Sequence, residues 1–177
     1  NLSRVRNLPF NNDEYSVMHP SVSKDGTRLY FSSNMPDGLG GFDIYYVNID
    51  RNGRYSQPVN LGPGVNTEGN EVFPFIYRDD ILFFSSNAHP GLGGLDVYMT
   101  VGLGSETQEV LNLGNPFNTS KDDFSFYIDS KFKFGYISSN RPGGKGEDDI
   151  YSFKIDIPPP FGVDDYYTMA RGDTLVL

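Results

Sequence analysis

Acidic residues that could act in catalysis or bind a metal recur at one spacing along the chain. Asp43, Asp96 and Asp149 stand 53 residues apart, and each is followed by an aliphatic residue and a tyrosine. A catalytic pair would occur once, whereas these aspartates occur three times. An aspartate after a glycine-rich turn can accept hydrogen bonds from the N–H groups of its loop. We therefore predict that the three aspartates are structural.

Three asparagines share the same spacing and precede the glycine-rich loops. Asn34, Asn87 and Asn140 each end a Ser-Ser-Asn triplet. Asparagine tolerates left-handed backbone and bonds to its own loop, so a structural role is predicted here too. Carboxylate, amide and carbonyl oxygens also suit Ca²⁺, and calcium is the alternative even though no EF-hand spacing is present. No other cofactor is expected.

Residues outside this repeated pattern are the candidates for ligand contacts. A glycan-cleaving site would need two unrepeated carboxylates about 5–10 Å apart, and Asp37, Glu147 and Asp148 lie in different copies of one loop. His19 and His89 each precede a proline, and no nucleophile motif such as G-x-S-x-G accompanies them. The sequence therefore predicts no enzymatic activity. The candidate ligand-contact residues are Asp37, His89, Arg141, Glu147 and Asp148.

The elements that must position these residues form a repeat. Segments rich in aromatic and branched residues end in the Ser-Ser-Asn triplets, and a second such segment starts at each repeated aspartate. Four short strands per unit of about 40–50 residues are typical of a propeller blade, and blades must pack on one another. The sequence predicts an all-β protein with three four-stranded β-propeller blades and no helix. The predicted strands are Arg28–Ser33, 43–49, Ile81–Ser86, Asp96–Val101, Phe134–Ser139 and 149–155.

The two ends of the repeat array give further expectations. Residues 4–11 (RVRNLPFN) match residues 110–118 (VLNLGNPFN), so residues 4–8 are predicted to pair as an outer strand, with the third repeat or with another blade. Propellers typically have at least four blades, so we expect a larger ring completed by further blades or a protein partner. The predicted domains are propeller blades at 1–157, a proline-rich linker at 158–162 and the start of a second β domain at 163–177.

Composition excludes some classes of partner. The formal net charge of −9 argues against nucleic acid and anionic membrane surfaces, which call for basic patches. The chain has no cysteine, and no apolar run is long enough for a transmembrane span. Aromatic residues make up 15% of the chain, which indicates a folded core rather than disorder.

The repeat unit resembles a known family in three segments of its first copy. These are HPSVSKDG from His19, LYFSSN from Leu29 and GGFDIY from Gly40. Together they resemble the WD40-like propeller repeat of the TolB type. The Gly-Leu-Gly-Gly loop resembles repeats in Gram-negative envelope proteins, some of which carry an OmpA-type peptidoglycan-binding domain. The resemblance implies a location in the periplasm, at the outer membrane or on the cell surface. It also implies contact with peptidoglycan or another glycan through a companion domain.

The function expected from this resemblance is a non-enzymatic binding or scaffold module that mediates protein–protein assembly. The alternatives are a glycan-binding or glycan-cleaving propeller and a structural spacer. The tail at Val163-Asp164-Asp165-Tyr166 resembles the start of an Ig-like or cadherin-like module, which implies that Asp164 and Asp165 could ligate Ca²⁺. Arg171-Gly172-Asp173 is predicted to form a turn rather than an integrin-binding motif.

Overall fold

The computed structural model describes residues 4–78 and 81–155, and these form three antiparallel sheets without a helix. The predicted all-β propeller-blade fold is thereby confirmed. In chain order, the first blade contains β1 (Val17–Val22), β2 (Arg28–Ser33), β3 (Asp43–Asn48) and β4 (Val59–Asn60). The second contains β5 (Glu71–Arg78), β6 (Ile81–Ser86), β7 (Asp96–Val101) and β8 (Glu109–Asn112), and the third contains β9 (Asp123–Ile128), β10 (Phe134–Ser139) and β11 (Asp149–Lys154).

The repeat in sequence is a repeat in strand register. Ser33 pairs with Asp43 at the end of the first blade, Ser86 with Asp96 in the second and Ser139 with Asp149 in the third. Each pair lies where a central strand leaves the sheet and the glycine-rich loop begins. The 53-residue interval therefore places the same serine and the same aspartate at equivalent positions in three blades.

The core lies between the blades. Tyr30 and Ile44 of the first blade pack in one cluster with Leu82, Phe84 and Tyr98 of the second. On the other side of the second blade, a larger cluster joins it to the third. Because side chains alternate between the two faces of a strand, the central strand of the second blade supplies both clusters. The residues of the larger cluster include Phe83, Val97, Met99, Phe126, Ile128 and Ile137.

The prediction that residues 4–8 pair as an outer strand with the third repeat is wrong. These residues belong to no strand, and the side chains that follow turn inward onto the first blade. The Phe10 ring stacks on Phe31 with ring centroids 4.9 Å apart, and Leu8 packs against the same cluster. The Tyr15 hydroxyl donates to the Phe10 carbonyl at 2.8 Å and fixes the turn. The segment therefore covers a sheet face instead of extending a sheet edge.

Three predictions on the C-terminal part concern residues outside the described ranges. They are the linker at 158–162, the β domain at 163–177 with a calcium site at Asp164 and Asp165, and the turn at Arg171-Gly172-Asp173. Within the described part, the third sheet has three strands. The same part of the chain contains no helix long and apolar enough to cross a membrane.

Candidate functional site

The repeated aspartates hold the glycine-rich loops of their own blades. Asp43 Oδ2 accepts a hydrogen bond from the Leu39 N–H at 2.6 Å, and Asp149 Oδ2 accepts one from the Lys145 N–H at 2.6 Å. Asp96 accepts from the equivalent N–H of Leu92. Residues 4–78 and 81–155 contain no group of three histidine, aspartate or glutamate side chains placed to hold a metal ion. The structural role of these aspartates stays a prediction, now with contacts that suit it.

The repeated asparagines tie each loop to the entrance of the innermost strand. Asn34 Oδ1 accepts from the Ser16 N–H, Asn87 Oδ1 from the Asn70 N–H, and Asn140 Oδ1 from the Asp122 N–H, each at 2.8 Å. The three side chains thus make one contact in three places. Such a contact closes one end of a blade and leaves the amide oxygen engaged.

Two buried acidic residues, Glu71 and Asp123, were not identified from the sequence. Glu71 is fully buried, and its carboxylate accepts from the Ser86 hydroxyl at 2.6 Å and from the Thr67 hydroxyl at 2.6 Å. Asp123 accepts in the same way from Ser139 at 2.5 Å and from Thr119 at 2.8 Å. A threonine four residues before each acid is the signal that could have found them. Val17 holds the corresponding position in the first blade, so the acid is absent from the first of the three repeats.

Two of the five candidate ligand-contact residues are engaged in packing. The His89 Nε2 lies 2.8 Å from the Val65 carbonyl oxygen, and its ring packs on Tyr98 with centroids 5.1 Å apart. Arg141 forms an ion pair with Asp123 at 2.7 Å and donates to the Phe117 carbonyl at 2.6 Å. Neither side chain is therefore a free ligand contact.

The other three candidates are exposed. Asp37 lies in the loop of the first blade, and Glu147 and Asp148 lie in the loop of the third, on either side of the second blade. These candidates thus lie in loops of two different blades, and the glycan-cleaving alternative stays a prediction.

β1, β5 and β9 are the innermost strands of their blades, and residues of all three line a pocket of about 370 Å³. At the same place in β1, β5 and β9, a residue other than glycine has left-handed backbone: His19 with φ 55°, Phe73 with φ 53° and Ser125 with φ 55°. The His19 ring stacks on Phe73 with centroids 3.9 Å apart. Such backbone is strained outside glycine, and strained residues cluster at binding sites. No charged side chain lines this pocket.

His19 is held in one neutral form. Burial lowers the pKa of His19 below its ordinary value of 6.5. The Phe73 N–H donates to Nδ1 at 3.3 Å, so the proton of the neutral ring resides on Nε2. The ring therefore offers the pocket an aromatic face and one N–H donor without charge.

We expect stability to fall on the acid side because of His19. Above pH 6.5 the ring is neutral in both the folded and the unfolded chain. As the pH falls through 6.5, the unfolded chain takes up a proton first, because the folded pKa is lower. NMR titration of the His19 ring should give a midpoint below 6.5, and His19→Gln should remove that part of the pH dependence of unfolding. A midpoint at or above 6.5 would contradict this assignment.

The face of the third blade that points away from the second blade is exposed, whereas the equivalent faces of the first two blades are buried. We define the third-blade open face as Tyr127, Phe134, Tyr136 and Ile150 with Ser152 and Lys154 beside them. Ile150 is 76% exposed, whereas the equivalent Ile44 and Val97 are 0% exposed because the next blade covers them. Tyr136 is 45% exposed, against 1% for the equivalent Tyr30 and Phe83. This face has the composition of a blade interface, and no further blade covers it among residues 4–78 and 81–155.

The glycine-rich loops touch the following blade. A Cβ on Gly40 would lie 2.5 Å from the Thr67 carbonyl oxygen, and one on Gly93 would lie 2.7 Å from the Thr119 carbonyl oxygen. The Gly41 N–H donates to the Gly69 carbonyl at 2.7 Å. Glycine is needed at these places because backbone meets backbone there. The glycine-rich loops of the first two blades are therefore joints between blades.

The comparisons with known proteins agree on the fold. No protein-family model matches the chain, and no curated protein matches it either. Among solved structures, it is similar to a puromycin-hydrolyzing peptidase of Mycobacterium tuberculosis, with a TM-score of 0.54, 15% identity and coverage of 88% of this chain and 24% of that one. It is also similar to TolB from Acinetobacter baumannii, with a TM-score of 0.51, 14% identity and coverage of 78% of this chain and 30% of that one. The chain thus spans less than a third of either neighbour.

These likenesses support the propeller fold and correct one prediction. The prediction of no enzymatic activity is contradicted, because one structural neighbour is a puromycin-hydrolyzing peptidase. At 15% identity the likeness shows the fold alone and assigns no reaction to this chain. Neither neighbour supports the OmpA-type companion domain that the repeat resemblance implied.

Proposed function

We propose that this chain is a binding and scaffold module that mediates protein–protein assembly through the third-blade open face. The observation that carries the proposal is the exposure of Tyr136 and Ile150 at positions that the other two blades bury. Full burial of a side chain of this size contributes about 1.5–3 kcal/mol. A soluble protein rarely leaves several hundred Å² of contiguous apolar surface uncovered, and aromatic residues are enriched at protein interfaces.

The proposed location is the cell envelope of a Gram-negative bacterium, in the periplasm, at the outer membrane or on the cell surface. Two observations support it: the TolB-type pattern of the repeat and the structural likeness to TolB from Acinetobacter baumannii. A protein partner suits this reading better than nucleic acid, because the net charge is −9.

We expect a photocrosslinking amino acid at position 150 to capture protein in cells that express the chain, and the same group at position 22 to capture far less. Val22 is 53% exposed on the first blade and provides the matched control. The substitution Tyr136→Asp, made in the same chain, should abolish most of the crosslinks from position 150, because a carboxylate in the centre of an apolar interface would be desolvated. Equal capture at positions 150 and 22, or none at 150, would contradict the proposed function.

A second candidate function is the binding of a neutral glycan in the pocket between the innermost strands. The observation that favours it is the aromatic, uncharged lining of a pocket of about 370 Å³, because sugar rings stack on aromatic faces and pockets of this size accept small ligands. The His19 ring signals report on this candidate as well. They should shift when neutral oligosaccharides are added and stay unchanged if the pocket is only structural.

A further inference from the structure

The third-blade open face carries opposite charge at its two ends. At one end, Lys154 of β11 lies opposite Phe134 of β10 in the sheet register. Lys131 and Lys133 are exposed in the adjoining turn between β9 and β10. At the other end Glu147 and Asp148 are exposed directly before β11. Asp129 lies at the basic end and Lys145 at the acidic end. Neither reverses the net charge of its end, which stays positive at the first end and negative at the second. The apolar residues lie between these ends.

A further blade meets a different residue at one edge of this face. In the first two blades, Gly41 and Gly94 lie against Asn70 and Asp122 of the following blade, whose side chains would overlap a Cβ at either glycine. The equivalent residue of the third blade is Glu147. A blade with asparagine or aspartate at that place therefore does not pack here as it does in the other two joints. The face is apolar like a blade joint and differs from the other joints at this position.

We propose that the occupant is a second copy of this chain, packed face to face about a two-fold axis. This proposal rests on the proposed function and names its partner. In a two-fold interface each surface meets itself. If the strands of the two copies run antiparallel, the basic end of each face meets the acidic end of the other. A strand of six residues spans roughly 17 Å, so the two ends lie farther apart than the Debye length of about 8 Å at physiological salt and act separately.

The same arrangement places the apolar residues at the centre. Tyr136 and Ile150 lie midway along β10 and at the start of β11, between the charged ends. Sheets that pack face to face keep their strand directions within about 30° of one another, which an antiparallel pair satisfies. One face presents only four large exposed apolar side chains, which are few for a stable interface. We therefore expect a dimer that dissociates in the micromolar range.

The test uses the full 177-residue chain and two charge-reversed variants. Sedimentation equilibrium at 0.15 M salt should show a dimer of the unaltered chain. Glu147→Lys with Asp148→Lys makes both ends of the face basic, and Lys131→Glu with Lys133→Glu makes the turn at the other end acidic. Each variant alone should be at least tenfold weaker in self-association. Mixed in equal amounts, the two should associate again, because both ends are then complementary.

The control and the crosslinking experiment separate this proposal from the proposed function. Lys24→Glu with Arg51→Glu, both exposed on the first blade, should leave the dissociation constant within twofold. A monomeric unaltered chain at 200 μM, or a mixture of variants no stronger than either alone, would overturn the two-fold proposal. If position 150 then still crosslinks to a different protein, the proposed function stands and only the identity of the partner is wrong. If position 150 captures nothing, both fail.

Discussion

Replacement of Glu71 by alanine is expected to lower the free energy of unfolding by about 3–4 kcal/mol. The Glu71 carboxylate is fully buried and accepts hydrogen bonds from the Ser86 hydroxyl, the Thr67 hydroxyl and the Thr67 N–H. Alanine leaves these donors without an acceptor, and each buried unsatisfied donor costs about 1–3 kcal/mol. Urea denaturation followed by tyrosine fluorescence would measure the change.

Matched variants make this expectation specific. Glu68 is exposed three residues earlier, and Glu68→Ala should change the free energy of unfolding by no more than about 0.5 kcal/mol. Glu71→Gln should be intermediate, because it retains one acceptor oxygen and introduces two donors that need partners. A Glu71→Ala protein as stable as the Glu68→Ala protein would show that the buried network contributes nothing to stability.

The second large effect is expected at Gly93, where two blades meet. Gly93→Ala should lower the free energy of unfolding by about 2–4 kcal/mol, because the added Cβ meets the backbone carbonyls of Thr119 and Lys121 and the blades must separate to admit it. Gly146 holds the equivalent place in the third blade, where no following blade lies against it. Gly146→Ala should therefore cost less than about 1 kcal/mol.

The comparison of these two variants isolates the contact between blades. Both glycines sit in copies of one loop, so the change in backbone entropy is similar at both. The difference between the two free energies of unfolding, measured by urea denaturation under one set of conditions, then reports on the joint. Equal losses for Gly93→Ala and Gly146→Ala would mean that the glycine serves its own loop and not the next blade.

The central strands could be predicted from the sequence because every local signal agrees there. The predicted bounds of Arg28–Ser33, Ile81–Ser86 and Phe134–Ser139 are those of β2, β6 and β10. Aromatic and branched residues favour strands, and the flanking glycine, asparagine and aspartate residues end them. The fixed interval of the repeat then predicts that the three strands occupy equivalent positions in three blades, without any knowledge of contacts.

The buried acids and the N-terminal segment could not be predicted by the same reasoning. Glu71 and Asp123 differ in type, and Val17 replaces them in the first blade, so the repeat conceals them. Residues 4–8 match a true strand in sequence, but a strand requires a partner edge as well as a pattern. Phe10 is buried against Phe31 in the first-blade core. The burial of this ring favours the inward turn of the segment over a strand of exposed residues.

The count of three blades already indicates that an end of the array needs a further blade or a partner, but the side chains left exposed there could not be predicted. Tyr136 and Ile150 have the residue types of a buried position, and burial depends on whether another sheet lies opposite. The type of a side chain indicates that it can be covered, whereas only the three-dimensional arrangement shows that it is not. The glutamate at position 147, where the other copies have glycine, was visible in the sequence, but its meaning depends on the contact that Gly41 and Gly94 make.

The fold of residues 8–15 over the first blade has a consequence for the stoichiometry of any assembly. Head-to-tail association requires two different adhesive surfaces on each subunit, and a rotation that does not close produces a filament. Phe10 and Leu8 lie on the side of the first blade away from the second, at the places that Phe117 and Leu113 hold within the joint between the second and third blades. The segment therefore supplies one half of a blade joint and does not close the first blade to a neighbour. A filament would join this surface to the third-blade open face, whereas two-fold pairing through the open face leaves it unused.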